Sequence, residues 1–431
     1  MYSHGNEPGG PVTASQLRAR YWRIVIFFAG VTAGFIFWDI VLPRIGLGGS
    51  ASRTRAGRYK RIAVRFRALA IRMGGLMIKV GQFLSVRLDV LPREITDELA
   101  GLQDEVPAEE FDAIREKATA ELGEALGQKY AWIDETPMAA ASFGQVHRAR
   151  LHDDEAVARG FSEVVIKVQR PYIDQVVDVD LSAIRRVAGW LQRYRPVSDR
   201  ADVRALVNEF ASTTLEELDY LAEGRNAEIF SANFAENPRV HFPRVVWSLS
   251  TRHVLTLEDV SAIKIGDYEA IAAAGIDRGE VASLLVDVYR QQILEDGFFH
   301  ADPHPGNLFV TPLEGTGEDG KRNWKLTLID FGMVGRVPEN LRAGLREAVI
   351  AVGTQDSVRL VQTYRNLGII LPGADLKQIE TAGAQLFDRF WGMSMGELSQ
   401  IDYGEIARFG SQFRELLLDM PFQLPQNLSM L

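Results

Sequence analysis

The hydrophobic pattern of this chain changes period several times, and each change predicts an element. Ile24 to Leu42 is a nineteen-residue apolar run broken by one charge, Asp39, long enough to cross a hydrocarbon layer. From Tyr59 to Arg87 apolar residues recur at helical spacing. Ile62, Phe66, Leu69 and Met73 share one face, and Leu76, Val80, Phe83 and Leu84 take up a second register after Gly74-Gly75, which predicts a bend or a close helix contact. Residues 109–127 predict a helix ending near Gly127, and residues of about 130–170 the short strands of a small sheet. Gln175–Arg195 and Val203–Phe230 are long periodic segments, Arg252–Asp259 reads as a strand, and Val281–Glu295 as an apolar helix. Thr311–Asn323, carrying three glycines, predicts a surface loop before the strand Leu326–Ile329. Residues 1–20 are polar and aperiodic and are expected to be disordered. The class is α+β.

The chemistry clusters where these elements meet. In His300-Ala-Asp-Pro-His-Pro-Gly-Asn307, Asp302 and Asn307 stand five residues apart, and Asp330-Phe-Gly332 follows a short hydrophobic strand. That order is the metal and phosphate apparatus of a kinase-like ATP site. Asp330 and Asn307 are oxygen ligands suited to Mg²⁺. Asp302 stands where a base takes the proton of an acceptor hydroxyl, or where a carboxylate orients water for ATP hydrolysis. His304 is a second candidate base, and for His300 a structural role competes with a catalytic one. Upstream, the run Phe161–Gln169 places Lys167 in a Val-Ile-Lys strand, the setting of a lysine that pairs with the α/β phosphates. Ala139, Ala140, Ala141 and Ser142 lie where a nucleotide loop would join two strands. With Gly144 as its single glycine, that loop is stiffer than a glycine-rich one. The backbone of Leu257 to Asp259, including Glu258, is expected to meet adenine. Glu223 is the expected partner of Lys167. No Ala-Pro-Glu follows Gly332, so a peptide-binding platform is not expected.

This set resembles the ABC1/UbiB (AarF) family of atypical kinases from about Arg65 to Leu428. Lys79-Val-Gly-Gln82 looks like the family's Lys-x-Gly-Gln signature, with Leu91-Pro92 and Leu102-Gln-Asp-Glu-Val-Pro107 after it. Ala139–Ser142 looks like its alanine-rich loop, and Glu217-Leu-Asp219 like its Glu-x-Asp element. Glu223 looks like its αC glutamate, although Gly224 replaces the usual alanine. The resemblance implies a bilobal protein-kinase-like fold with an N-terminal helical extension holding the signature over the cleft. Lys79, Gln82, Glu217 and Asp219 would be regulatory, with ATP and Mg²⁺ as cofactors. It also implies a place in isoprenoid-quinone or other prenyl-lipid metabolism, with lipid or small-molecule acceptors favoured over protein. The alternative is a weakly catalytic pseudokinase, a nucleotide-bound scaffold for a lipid-biosynthetic complex. Pro421–Leu428 resembles a segment that relatives follow with further helices, whereas this sequence stops at Leu431. Either the tail is dispensable or the C-lobe is short.

Composition is that of a folded protein, 46% hydrophobic and 24% charged, and the absence of cysteine excludes disulfides and thiolate metal sites. The net charge of -9 is uneven, because residues 1–90 hold 14 Lys/Arg against 3 Asp/Glu. A basic end on an acidic body suggests an anionic partner. With no aromatic-interleaved or zinc-finger pattern, membrane lipid is favoured over nucleic acid. For the apolar run three readings stand open: a transmembrane helix with the ATP site on the cytoplasmic side, an interfacial helix, or a helix docked on the body. The expected division is a disordered 1–20, a membrane-anchoring 21–43, a helical extension 44–129, an N-lobe with inserted helices 130–257 and a helical C-lobe 258–431.

Overall fold

The computed structural model describes residues 12–85, 91–100, 102, 107–193, 202–316, 321–370 and 373–392. The Leu102–Pro107 motif is therefore described at its two ends only, and Pro421–Leu428 lies outside the described residues. The chain forms two compact units. One comprises Met1–Ala232, Phe242–Ser261 and Ile329–Gly332; the other comprises Asn233–His241, Ala262–Leu328 and Met333–Leu431.

In the first unit, order begins earlier than the polar N-terminus suggested. Thr13 opens helix α1 (Ala14–Phe35) with a capping box. Its hydroxyl accepts from the Gln16 N–H, and the Gln16 side chain accepts from the Thr13 N–H at 2.7 Å. The helix continues through a π-turn at Ile36–Val41 to Arg44. Arg20 fixes it to the body through two 2.6 Å contacts with the buried Asp180, and also donates to the carbonyl of Met73 at 2.8 Å. Helix α2 (Arg55–Met73) stops at Gly74-Gly75, where φ is 60° and 55°, values that glycine adopts without strain. Helix α3 (Leu76–Ser85) carries the signature, and α4 (Arg93–Leu99) and α5 (Phe111–Leu122) follow. The last ends at Gly123 rather than Gly127, because the left-handed Gly123 (φ 75°) caps it and only a separate short turn continues.

The sheet of this unit has strands β1 (Trp132–Ile133), β2 (Ala139–Ala140), β3 (Gly144–Arg150), β4 (Glu163–Gln169) and β6 (Val254–Glu258), with order β1-β3-β4-β6 and β2 beside β3. All its pairings are antiparallel. Along β4, Val164, Ile166 and Val168 point into a core with Ile114 of α5 and Val254 of β6. The two-residue period therefore sends Lys167 to the opposite face. The helices share a second core, built around Ile24, Phe66, Leu76, Met77 and Leu181, into which the loop residue Phe143 also packs. Helix α6 spans Ile173–Leu191. The periodic segment Val203–Phe230 proves to be two helices, α7 (Val203–Glu217) and α8 (Tyr220–Asn233). Asp219 causes the break by turning its carboxylate back onto the Ala222 N–H at 3.0 Å.

In the second unit, β5 (Val240–His241), β7 (Ile263–Lys264), β9 (Leu308–Thr316) and β10 (Arg322–Leu328) form a sheet of order β5-β10-β9-β7. The expected loop at Thr311–Asn323 is thus mainly two paired strands, with Thr311 opposite Lys325 and Thr316 opposite Arg322; residues 317–320 lie outside the described set. Glycine content suggested a loop, but cross-strand pairing decided the structure. Helix α9 (Arg278–Arg290) passes through a π-turn at Gln291–Asp296 into β8 (Phe298–His300), which pairs with β11 (Val334–Arg336). Helices α10 (Glu339–Gly353), α11 (Ser357–Asn366) and α12 (Leu376–Phe390) follow.

Candidate functional site

In the first unit, Lys167 is the centre of a charged cluster. Its Nζ lies 2.9 Å from both carboxylate oxygens of Glu223 and 3.3 Å from Oδ1 of Asp330, and sits 5.1 Å from the centre of the Tyr220 ring. Burial alone would depress the ammonium, but the Asp330 and Glu223 charges outweigh it and hold Lys167 well above the usual lysine range. Glu223 is buried, and burial, reinforced by Asp330 and opposed by Lys167, raises its carboxyl to about 7. Burial likewise raises Glu217, which accepts from Lys79 of the signature helix at 3.2 Å and feels Asp330 as a repelling charge. Three carboxylates thus crowd two lysines, leaving an excess of negative charge that a cation would relieve.

Asp330 is held by its neighbour. Phe331 is fully buried between Phe230 and Phe242, with ring centroids at 5.3 Å and 5.8 Å. The Phe331 carbonyl accepts from Asn226 at 3.0 Å. With its backbone anchored on both counts, Asp330 keeps a left-handed φ of 61°, uncommon for a residue with a Cβ. The other signature residue, Gln82, donates to the Leu102 carbonyl at 3.3 Å. Asp219 caps α8 and so positions the helix that carries Glu223.

The alanine-rich segment is only partly a loop. Ala139 and Ala140 pair with Val146 and Gln145 in the sheet, and the turn proper runs from Ala141 to Gly144, closed by a 2.8 Å bond from the Ala141 N–H to the Gly144 carbonyl. Ser142 is buried beneath it. A Cβ on Gly144 would come within 2.4 Å of the Tyr220 hydroxyl and 2.6 Å of the Val168 carbonyl, so the single glycine is required by a close approach.

A residue that the sequence motifs did not single out holds this turn in place. Arg170 is buried and donates to the Ala141 carbonyl at 3.1 Å, the Pro107 carbonyl at 2.8 Å and the Glu109 carboxylate at 2.6 Å, while its N–H binds the Phe143 carbonyl at 2.9 Å. It therefore joins the alanine turn to the N-terminal extension. Its position directly after strand β4 was the only available signal. Glu258, at the end of β6, accepts from the Arg244 side chain, with contacts of 3.0 Å and 3.1 Å, and donates its N–H to the Arg244 carbonyl.

In the second unit, the His300–Asn307 turn is tied by its own backbone. His300 is buried; its N–H donates to Gln292 at 2.9 Å, and its Nδ1 accepts from the Asp302 N–H at 3.2 Å. His304 accepts from the Gly306 N–H at 3.1 Å, which makes it the cap of a short helical turn. Asn307 donates to Oδ2 of Asp302 at 3.1 Å. Tyr289 of α9 carries a buried hydroxyl, and burial together with the Asp302 charge raises it above the usual phenol range.

Residues 101–364 match the model of the ABC1 atypical kinase-like domain. The chain belongs to that family. An Arabidopsis thaliana relative, Protein ACTIVITY OF BC1 COMPLEX KINASE 8, chloroplastic, is 38% identical over 313 residues, which are 72% of this chain and 39% of the relative. A Xylella fastidiosa relative described as Probable protein kinase UbiB is 32% identical over 326 residues, 76% of this chain and 56% of the relative. The ABC1 chain thus spans about half the length of these curated relatives. Among solved structures, Mycobacterium tuberculosis Rv3197, determined with erythromycin, is similar at TM-score 0.51 and 23% identity, covering 85% of this chain and 93% of that one. The fold of the ABC1 chain is accordingly kinase-like, and that fold generally uses nucleotide with Mg²⁺.

Proposed function

We propose that this ABC1 chain is a Mg²⁺-dependent ATPase or atypical kinase whose acceptor is water or a small lipid-linked hydroxyl, serving isoprenoid-quinone or other prenyl-lipid metabolism at a membrane. The observation that carries the reading is the Lys167 ammonium held between Glu223 and Asp330. Among the described residues no group of three or more His, Asp or Glu is arranged as a complete metal cage. One or two oxygen ligands completed by phosphate and water are what Mg²⁺ ordinarily takes, and the surplus carboxylate charge around Lys167 fits a divalent cation. Asp330 and Asn307 would hold it, and when bound it would neutralise phosphate charge. In this reading Lys167 binds the α/β phosphates and Glu223 orients it. The stiff Ala139–Ser142 segment directs N–H groups at phosphate, with the Leu257–Asp259 stretch toward adenine. Asp302 accepts the proton as the acceptor oxygen bonds to the γ-phosphorus and the bond to ADP breaks. Lys79, Gln82, Glu217 and Asp219 regulate by fixing the extension and α8.

One observation favours the scaffold reading. Lys79 of the extension already occupies Glu217 beside the cluster. The two readings separate on one experiment, in which ATP hydrolysis by the purified full chain on liposomes is compared with that of Asp330→Asn. Loss on the order of 10³-fold in the variant, with an unchanged melting profile, is expected if the site turns over ATP. Wild-type hydrolysis no higher than the variant's leaves only the nucleotide-bound scaffold.

The apolar N-terminal helix Ala14–Arg44 is long and apolar enough to cross a membrane. We infer from it a membrane attachment, with the catalytic body on the cytoplasmic face because the surrounding segment is rich in arginine.

A further inference from the structure

Helix α1 does not stand free of the protein. Along its inner side, Phe27 and Phe28 pack on Phe66 with ring centroids 5.9 Å apart, Phe35 meets Tyr59 at 5.5 Å, and Arg58 lies over the Trp38 ring at 4.6 Å. As the α1 numbers rise the α2 numbers fall, so the two helices run antiparallel. Asp39, the charge that interrupts the apolar run, is matched by Arg55 at 3.3 Å and Arg58 at 3.5 Å, both from α2. Nearer its start, α1 contributes Ile24 and Val25 to the protein core and Arg20 to the buried pair with Asp180.

Its outer side is different. Trp22, Ile26, Phe37 and Val41 are exposed, with Gly30 and Ala33 between them. At 100° per residue they fall in one stripe about 100° wide, the shape of a helix that lies in an interface. Arg23 and Arg44 stand exposed toward the two ends of the stripe, and neither has a carboxylate partner among the described residues.

The partner helix decides against crossing. For residues 27–42 to enter hydrocarbon, the α2 segment paired with them must enter too, and it carries Arg55, Arg58, Lys60, Arg61 and Arg65 without one acidic residue. Each such cation costs about 2.5–3.5 kcal/mol at the bilayer centre. Separating α1 from α2 instead would strip Asp39 of both its counter-charges. We propose that α1 is a monotopic anchor. Its exposed stripe lies along the surface of an anionic bilayer, Arg23 and Arg44 meet headgroup phosphates, α2 stays on the protein side, and both ends of α1 remain on one side of the membrane. This rests on the membrane attachment proposed above and specifies its mode.

The chain contains no cysteine, so single thiols at Ser15→Cys and Ser52→Cys report each end of α1 without background. In spheroplasts of bacteria expressing the full chain, both positions are expected to be protected from a membrane-impermeant maleimide and both to react after lysis. Labelling of one end in intact cells overturns the monotopic mode and leaves the attachment standing. Protein recovered in the soluble fraction at low salt overturns the attachment itself. On vesicles containing phosphatidylglycerol, Arg23→Gln with Arg44→Gln should weaken binding about 30-fold, at about 1 kcal/mol per charge. Ile26→Ser with Phe37→Ser should weaken it at least about 10-fold, while melting profiles stay unchanged because all four side chains are exposed. Equal binding of these variants and the wild type overturns the assignment of the stripe.

Discussion

Around Lys167, three carboxylates compete for two ammonium groups in a largely buried setting, whereas around Asp302 the side chains of His300, His304 and Asn307 are bonded within their own turn. The first region holds surplus charge. Glu223 and Glu217 are both pushed up by burial and by Asp330, so the cluster is poised to gain a cation or keep a proton. The second region holds shape. His300, His304 and Asn307 spend their hydrogen bonds on Asp302 and Gly306, which fixes the turn before anything binds. Binding should therefore change the electrostatics of the first region most, and should find the second already in place.

The largest expected effect tests the second region. Asp302→Asn keeps the N–H donated to His300 and the carbonyl that accepts from Asn307, so the turn should survive. Turnover should fall about 10²- to 10⁴-fold, the scale of a lost general base, with little change in nucleotide affinity. An equal loss of affinity would mean that Asp302 shapes the site rather than accepting a proton.

A smaller effect tests the first region. The Glu223 carboxyl, near 4.5 when unfolded, is raised to about 7 in the fold. The folded state therefore binds its proton more tightly. The stabilisation this provides is complete below about pH 4.5 and is lost as pH rises through 7. Without nucleotide or Mg²⁺, the wild type should lose on the order of 1–3 kcal/mol relative to Glu223→Gln between pH 5 and 8. Thermal melts at intervals across that range measure it, and parallel curves for the two proteins would show that the charge surplus is not there.

The smallest effect sharpens the boundary between the two strategies. Arg170 gives the alanine turn a fixed shape within the charge-rich unit. Arg170→Lys keeps the charge but cannot reach three acceptors in a plane. A several-fold rise in the KM for ATP, with kcat nearly unchanged and faster amide exchange at Ala141–Phe143, is expected. A fall in kcat alone would assign Arg170 to another role.

Spacing made much of this site legible beforehand. The Val-Ile-Lys strand setting singled out Lys167, and motif order paired it with Glu223. Elements that depend on a single side chain choosing between backbone partners were not legible. Asp219 breaks Val203–Phe230 into two helices by bonding the Ala222 N–H, a choice that periodicity cannot register. Thr13 and Gln16 start α1 through a polar box inside a segment whose polarity suggested disorder. The Arg170 clamp joins residues about 60 positions apart, and no local pattern encodes such a contact. Likewise Glu258 falls at the expected strand end, but its partner Arg244 is visible only in the fold.

The division of the chain has a temporal side. Ile329–Gly332 belongs to the first unit although the residues on both sides of it belong to the second, and Asp330 meets Lys167 across 163 positions. Contacts so distant in sequence form late, and a growing chain offers its N-terminal parts first. During synthesis the strands bearing Lys167 can assemble with Glu223 long before Asp330 has left the ribosome. The third carboxylate arrives only after Asn233–His241 and Ala262–Leu328 of the second unit have been made. A nascent chain would thus carry a folded sheet and an idle lysine, and its site would be completed only after more than three hundred residues had been translated.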